Sequence, residues 1–299
     1  MTVPAGFVRY QGPVLATLGR VAVASARQSF GPRMVPTPPV TPGRVIEATI
    51  APRPVDLARA FIRNVGGSPE AYGDRLPPHM FPQWAVPFAA RTLDGLTYPM
   101  SKVLNAGCRM TVNAPIPIGE RLRIRAWLEH VDDDGTRAIF RQRVITGTDA
   151  NPDALDCEIR AFVPLASRGR GEKKEQPLVP ADAREIAFRR IGPGAGFDFA
   201  VLTGDFNPLH WFGPYAKAAG FKNVILHGFA TFARTFEALV WGPGGGDPFA
   251  IREIEARFTR PIVLPGAVGI FVDDANGVYV GAARGGLLNM SGTYALRAR

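Results

Sequence analysis

Residues 121–131 alternate along the chain, with Leu122, Ile124, Ala126 and Leu128 on one face and Arg121, Arg123, Arg125 and Glu129 on the other. A period of two with one polar face predicts a half-buried antiparallel strand. Asp132-Asp133-Asp134-Gly135 then predicts a hairpin turn, and 136–146 the returning strand. β-branched or alternating stretches predict further strands at 44–51, 103–112 and 157–165, and again at 184–190, 250–263, 268–273, 278–283 and 287–297. Helical spacing appears at 54–64, at 83–93, and most clearly from Gly228 to Trp241. There Phe229, Phe232, Ala233, Phe236 and Val240 form one apolar stripe, and Arg234 and Glu237 are expected to face away from it. Pro87 should kink the 83–93 helix or end it early. Short helices are predicted at 197–202 and at 214–219, the second closed by Gly220.

The helix-then-sheet pattern occurs twice. His79 precedes Arg109 by 30 residues, and His227 precedes Arg257 by 30. A shift of 148 lays Phe81, Trp84, Ala85 and Phe88 on Phe229, Phe232, Ala233 and Phe236. Two copies of one unit are the expectation. The predicted division is 1–165 for the first half, 166–180 for a charged linker containing Lys173-Lys174-Glu175, and 181–299 for the second half. The copies differ where chemistry would sit: Met80 stands at the position of Gly228, and Pro87 at that of Thr235. Ahead of the repeat, the spacing of Val14, Leu18 and Val21 predicts a short helix within 13–26. Residues 9–24 have a weak signal-peptide flavour that Arg20 interrupts, so the segment reads as an N-terminal extension packed on the surface. The proline-rich 36–42 reads as an extended linker.

Composition narrows the class. The chain has 299 residues, 46% hydrophobic and 20% charged, enough for one large or two ordinary globular domains. No apolar run approaches the roughly 18 residues that would span a bilayer. Cys108 and Cys157 form neither a disulfide framework nor a zinc-site spacing, so a cytoplasmic location with reduced thiols, no metal and no cofactor are expected. The net charge of +9 suits an anionic partner. The basic residues are scattered and mostly arginine, with no basic-aromatic stripe, which argues against nucleic acid.

Candidate chemistry is concentrated at Gly204-Asp205-Phe206-Asn207-Pro208-Leu209-His210. Asn207 before Pro208 is pushed towards extended backbone, so no helix runs through it. Pro208 suits the first position of a short helix capped by Asn207. Asp205 on the incoming loop and His210 on the first turn then share a small volume, where a carboxylate and an imidazole can activate water and shuttle a proton. Read alone, the same residues could be a capped turn with a surface histidine. Gly228 opens the best helix of the chain, where backbone amides are unpaired and the dipole is positive. No Ser-His-Asp or Cys-His constellation and no phosphate-binding glycine loop is present.

Together, Phe199 to His210, Ala216 to Phe221 and Ile225-Leu226-His227-Gly228-Phe229 resemble the motif of the MaoC-like (R)-specific enoyl-thioester hydratases, the hydratase 2 type. The resemblance implies an α+β double hot-dog fold, two antiparallel sheets each wrapped around a central helix, with one degenerate and one active half. It implies reversible hydration of trans-2-enoyl thioesters, equivalently dehydration of (R)-3-hydroxyacyl thioesters, in fatty-acid metabolism. Asp205 and His210 would be catalytic, Gly228 would supply the oxyanion contact, Asn207 would orient the loop, and His227, repeated at 79, would be structural. The degenerate half would receive the acyl chain beside a helix broken at Pro87. The implied partner is an acyl-CoA or an acyl carrier protein thioester, and the chain would act as a monomeric pseudo-dimer or a homodimer. A hot-dog acyl thioesterase and a non-catalytic acyl-thioester-binding subunit are the alternatives.

Overall fold

The structure, a computed structural model, describes residues 3–17, 19, 20, 23, 36–165 and 176–298. The first half contributes strands β1 (Ile46–Ile50), β2 (Leu104–Val112), β3 (Leu122–Asp133), β4 (Arg137–Gly147) and β5 (Leu155–Pro164). The second contributes β6 (Arg184–Ile191), β7 (Ile251–Phe258), β8 (Gly266–Val272), β9 (Gly277–Gly281) and β10 (Leu288–Leu296). They form a single ten-stranded sheet in the order β1-β3-β4-β5-β2-β7-β10-β9-β8-β6, antiparallel throughout. Read inward from its two edges, the sheet gives the same order twice: β1-β3-β4-β5-β2 and β6-β8-β9-β10-β7.

The central pairing of β2 with β7 fixes the symmetry. Gly107 lies opposite Arg257, Arg109 opposite Glu255, and Cys108 opposite Ala256. In each pair one residue plus 148 is the equivalent of the other's partner: 109 + 148 = 257 and 107 + 148 = 255. Cys108 and Ala256, themselves 148 apart, therefore sit on the pseudo-two-fold axis. The shift read from the sequence is the one the backbone uses. The fold is the expected double hot-dog.

Five helices matter for the site: α1 (Val55–Val65), α2 (Pro82–Arg91), α3 (Ala195–Thr203), α4 (Gly213–Ala218) and α5 (Gly228–Trp241). Here α2 and α5 are the two central helices. Phe81, at the start of α2, meets its own equivalent Phe229 edge-on at 5.6 Å and Phe232 at 6.1 Å. Equivalent residues can touch only near the axis, so the two helices begin side by side. Trp84, Phe81, Phe232 and Phe236 are among the largest fully enclosed side chains.

Several expectations need correction. α5 is not amphipathic: every residue from Phe229 to Val240 is buried, Arg234 and Glu237 included. The helix is covered by sheet on one side and by the first half on the other. Arg234 donates to the carbonyls of Ala230 and Asn64, and Glu237 accepts from the Tyr72 hydroxyl at 2.8 Å and lies 3.2 Å from His79 Nε2. α2 is not broken by Pro87, which lies inside it. Proline removes one amide and crowds the preceding turn, but the helix is gripped on both sides of it. The Trp84 indole donates to Thr146 Oγ1 at 3.1 Å, and the Gln142 amide caps the Ala89 carbonyl. At 10 residues against 14, α2 is still the shorter central helix. The strand expected over 250–263 ends at Phe258. Residues 12–17 are helical, whereas the rest of the expected N-terminal helix is only partly described, and linker residues 166–175 lie outside the described residues.

Because Phe81 joins the two central helices, Phe81→Ala should cost about 3–5 kcal/mol and leave a single unfolding transition. Chemical denaturation followed by fluorescence and by circular dichroism checks this, and two separate transitions would contradict the shared core.

Candidate active site

α3 delivers the first candidate residue. Its apolar side chains Phe199 to Leu202 are buried, and it stops because Gly204 adopts the left-handed conformation at φ +83°, which glycine alone takes without penalty. Asp205 follows at once. Asn207 Oδ1 accepts the Leu209 amide at 3.1 Å, capping the short 3-10 turn Pro208–His210 as its position before proline predicts. The turn lies tight against the start of α3: a Cβ on Gly196 would run into the His210 carbonyl. A small residue at 196 is therefore required for Asp205 and His210 to share one corner.

His210 has a fixed tautomer. Its Nδ1 lies 2.8 Å from the Ile225 carbonyl, and a carbonyl only accepts, so Nδ1 carries the hydrogen and Nε2 the lone pair. The His227 ring stacks on that of His210, with centroids 3.5 Å apart and planes at 28°. His227 donates Nε2–H to the Asp205 carbonyl at 2.9 Å, and its Nε2 is 3.8 Å from Asp205 Oδ2. It thus ties the Asp205 loop to the start of α5. Burial pushes the His227 pKa down to about 3, with His210 adding to the fall and Asp205 opposing it. Burial also lowers the His210 pKa, against a rise from Asp205 and from its bond to the Ile225 carbonyl. Both imidazoles are therefore held neutral, which suits His210 Nε2 as a proton acceptor at ordinary pH.

The ligand atoms of Asp205, His210 and His227 fall within 4.8 Å of one another, as a metal site would require. The two imidazoles are stacked, and each has one nitrogen bonded to a backbone carbonyl.

Gly228 is the first residue of α5, and its amide is one of the unpaired donors of that helix start. A Cβ there would stand 2.7 Å from the Phe258 ring, so glycine is dictated by the ring packed against it. In the first half Met80 occupies the equivalent position, fully buried.

Asp205, Asn207, His210, His227 and Gly228 all line one cavity of about 420 Å³. Its other wall comes from the first half, including Val86, Ala89 and Leu93 around α2 and Ile159 of β5. Arg260 and Asn289 edge it. Ala85, by contrast, faces the core and takes no part in this wall. A larger groove of about 700 Å³ lies between residues 3–7 and α1, but none of the candidate residues touches it. The Ile225 carbonyl and Phe258, which orient His210 and shape Gly228, left no mark in the sequence.

Comparison with known proteins gives likenesses of sequence and of fold. Residues 175–273 match the model of the MaoC like domain. Over 182 residues the chain is 31% identical to 3-hydroxyacyl-thioester dehydratase Y of Mycobacterium tuberculosis, covering 57% of this chain and 61% of that one. It is 28% identical to the peroxisomal enoyl-CoA hydratase 2 of Arabidopsis thaliana, covering 58% and 60%. The matches thus span about three fifths of the length of these relatives. Among solved structures, HtdX of Mycobacterium tuberculosis superposes with a TM-score of 0.68 at 19% identity, over 85% of this chain and 100% of that one, a likeness of fold.

The depressed His227 pKa has a stability consequence. Between the usual histidine value of 6.5 and about 3, the unfolded chain binds a proton at this position that the folded chain refuses. Stability should therefore be full above pH 6.5 and fall on acidification, by about 1 kcal/mol per pH unit for such a group. Comparing denaturation midpoints of wild type and His227→Gln from pH 7.5 to 4.5 checks this, and the variant should show a shallower acid loss. Parallel curves would contradict a buried neutral His227.

Proposed function

We propose that this chain, of which residues 175–273 are a MaoC-like domain, reversibly adds water to trans-2-enoyl thioesters to give (R)-3-hydroxyacyl thioesters. The observation that carries the reading is the placement of Asp205, His210 and the start of α5 around one cavity. The addition forms a C3–O bond, places a proton on C2 and passes through an enolate-like thioester oxygen. Asp205 and His210 hold the water, and between them take one proton and deliver the other. The Gly228 amide, at the positive end of a 14-residue helix, meets the developing oxyanion. Asn207 orients the loop through its cap, and His227 holds that loop to α5.

In this reading residues 1–165 form the acyl-chain half, 166–180 the linker and 181–299 the catalytic half. Val86, Ala89, Leu93 and Ile159 give the cavity an apolar wall suited to an acyl chain, and Arg260 at its edge suits the phosphate of CoA or of a carrier protein's pantetheine arm. The β2–β7 pairing already joins both halves, so one chain makes one complete site. A cytoplasmic location belongs to the same proposal.

Asp205→Asn and His210→Ala should each lower turnover by about 10²–10⁴ with thermal stability largely kept. Loss of the conjugated enoyl absorbance reads this directly, and near-wild-type rates would sink the assignment. The apolar wall makes a second prediction. Each buried methylene contributes about 0.8 kcal/mol, so longer enoyl chains should be preferred to crotonyl. Val86→Trp should depress kcat/KM for long chains and spare crotonyl-CoA. Equal loss at every length, or crotonyl as the best wild-type substrate, would contradict an acyl channel along α2.

A further inference from the structure

We infer that Gln11, in the extension that precedes the repeat, is a positioning residue for Asp205, acting through the last turn of α3. The inference rests on the proposed role of Asp205 in hydration.

Gln11 is fully buried. Its Nε2 donates to the carbonyls of Val201, at 3.1 Å, and Leu202, at 3.0 Å. These carbonyls belong to the last turn of α3, where a helix leaves its acceptors without partners of its own. Carbonyls only accept, so the amide orientation is settled and Oε1 faces the other way. There it accepts Gln83 Nε2 of α2 at 3.0 Å, and Gln83 Oε1 accepts Arg53 Nη1 at 3.3 Å. A run of three side chains thus connects the end of the helix that delivers Asp205 to the central helix of the other half. Each glutamine Nε2 in the run meets an acceptor, whereas Arg53 Nε, at its far end, is buried without a partner.

Two neighbouring contacts act on the same helix. Val14 covers Gly204, where a Cβ would come within 2.7 Å of Val14 Cβ. The Val3 amide donates to Asp198 Oδ1, in the first turn of α3, at 3.1 Å. The extension therefore touches α3 at its start, at its last turn and at its cap. α3 has its own buried apolar residues and does not need these contacts to stay in the core. Asp205 has much weaker local restraint. Its amide is 3.5 Å from Thr203 Oγ1, its Oδ1 3.4 Å from the Asn207 amide, and its one short bond is the His227 donation to its carbonyl at 2.9 Å. The direction in which the carboxylate leaves α3 depends on where the last turn is held, and Gln11 holds it.

The test uses the full-length chain. Gln11→Leu keeps the side-chain size but removes both donor and acceptor. Expected are a fall in kcat for trans-2-enoyl-CoA of about ten- to a hundredfold, as for an ångström-scale misplacement, and a KM within about threefold of wild type. In an Asp205→Asn background the same substitution should cost no further turnover, although it lowers Tm equally in both backgrounds. Hydrogen exchange at 204–210 should quicken while the core of α5 is unchanged. Unaltered kcat, or the same fractional loss with and without Asp205, would overturn the inference and leave Gln11 a packing residue. A wild-type chain without hydratase activity would instead remove the proposed function, and the exchange at 204–210 would then decide whether Gln11 holds the loop. Should Gln11→Leu not fold, Val14→Ala relaxes the cap over Gly204 and is read by the same measurements with the same opposing outcomes.

Discussion

The antiparallel pairing of β2 with β7 is the constraint on which the molecule depends. It turns two five-stranded sheets into one and sets Cys108 opposite Ala256 on the axis between them. Side chains reinforce it: Thr111 donates to Glu253 and Arg160 bridges to Glu255, each across the junction. Their energetic value is small at a partly exposed position. Their consequence is register, because a slip by one residue would turn every side chain of β7 to the opposite face. With register fixed, α2 and α5 begin side by side and Phe81 meets Phe229. The cavity is then walled by both halves, which neither half could enclose alone.

The same symmetry makes the local difference between the halves a matter of a few atoms. At the start of α5 a glycine leaves its amide next to the cavity, with Phe258 filling the space a side chain would need. At the equivalent place before α2 stands Met80, its side chain fully buried. The paired histidines diverge likewise. His227 faces the Asp205 loop and stacks on His210, whereas His79 stacks on Phe236 at 4.6 Å and lies against Glu237. One copy has turned its histidine towards the candidate corner at Asp205 and His210, the other towards a buried contact between halves.

Much of this was legible in the residues, and the failures have physical causes. Strict alternation located β3 and its hairpin because it reports a periodic boundary between core and solvent, and helical spacing located α5 to the residue although that helix is buried on all sides. The 148-residue shift was legible because a repeat preserves the contacts made near its own axis. Asn207 before Pro208 foretold the capped turn, since both residues act on local backbone. Environment was not legible. Arg234 and Glu237 look like a solvent face because charge normally marks one, and the sequence does not reveal the Asn64 carbonyl that meets Arg234 or the Tyr72 and His79 that lie against Glu237. Pro87 looks like a helix break because the sequence does not reveal Trp84 and Gln142 holding the helix. Gln11 carries no local signal at all, since its partners are 72 and about 190 residues away.

The central claim is that Asp205, His210 and the amide at Gly228 add water across an enoyl thioester, and product analysis in heavy water tests it most directly. Incubation of a trans-2-enoyl-CoA with the enzyme in D₂O, followed by chiral separation and mass spectrometry, should give the (R)-3-hydroxyacyl-CoA with deuterium incorporated at C2 and no free thiol. Release of CoA with the double bond intact, or the (S)-alcohol as product, would contradict the account.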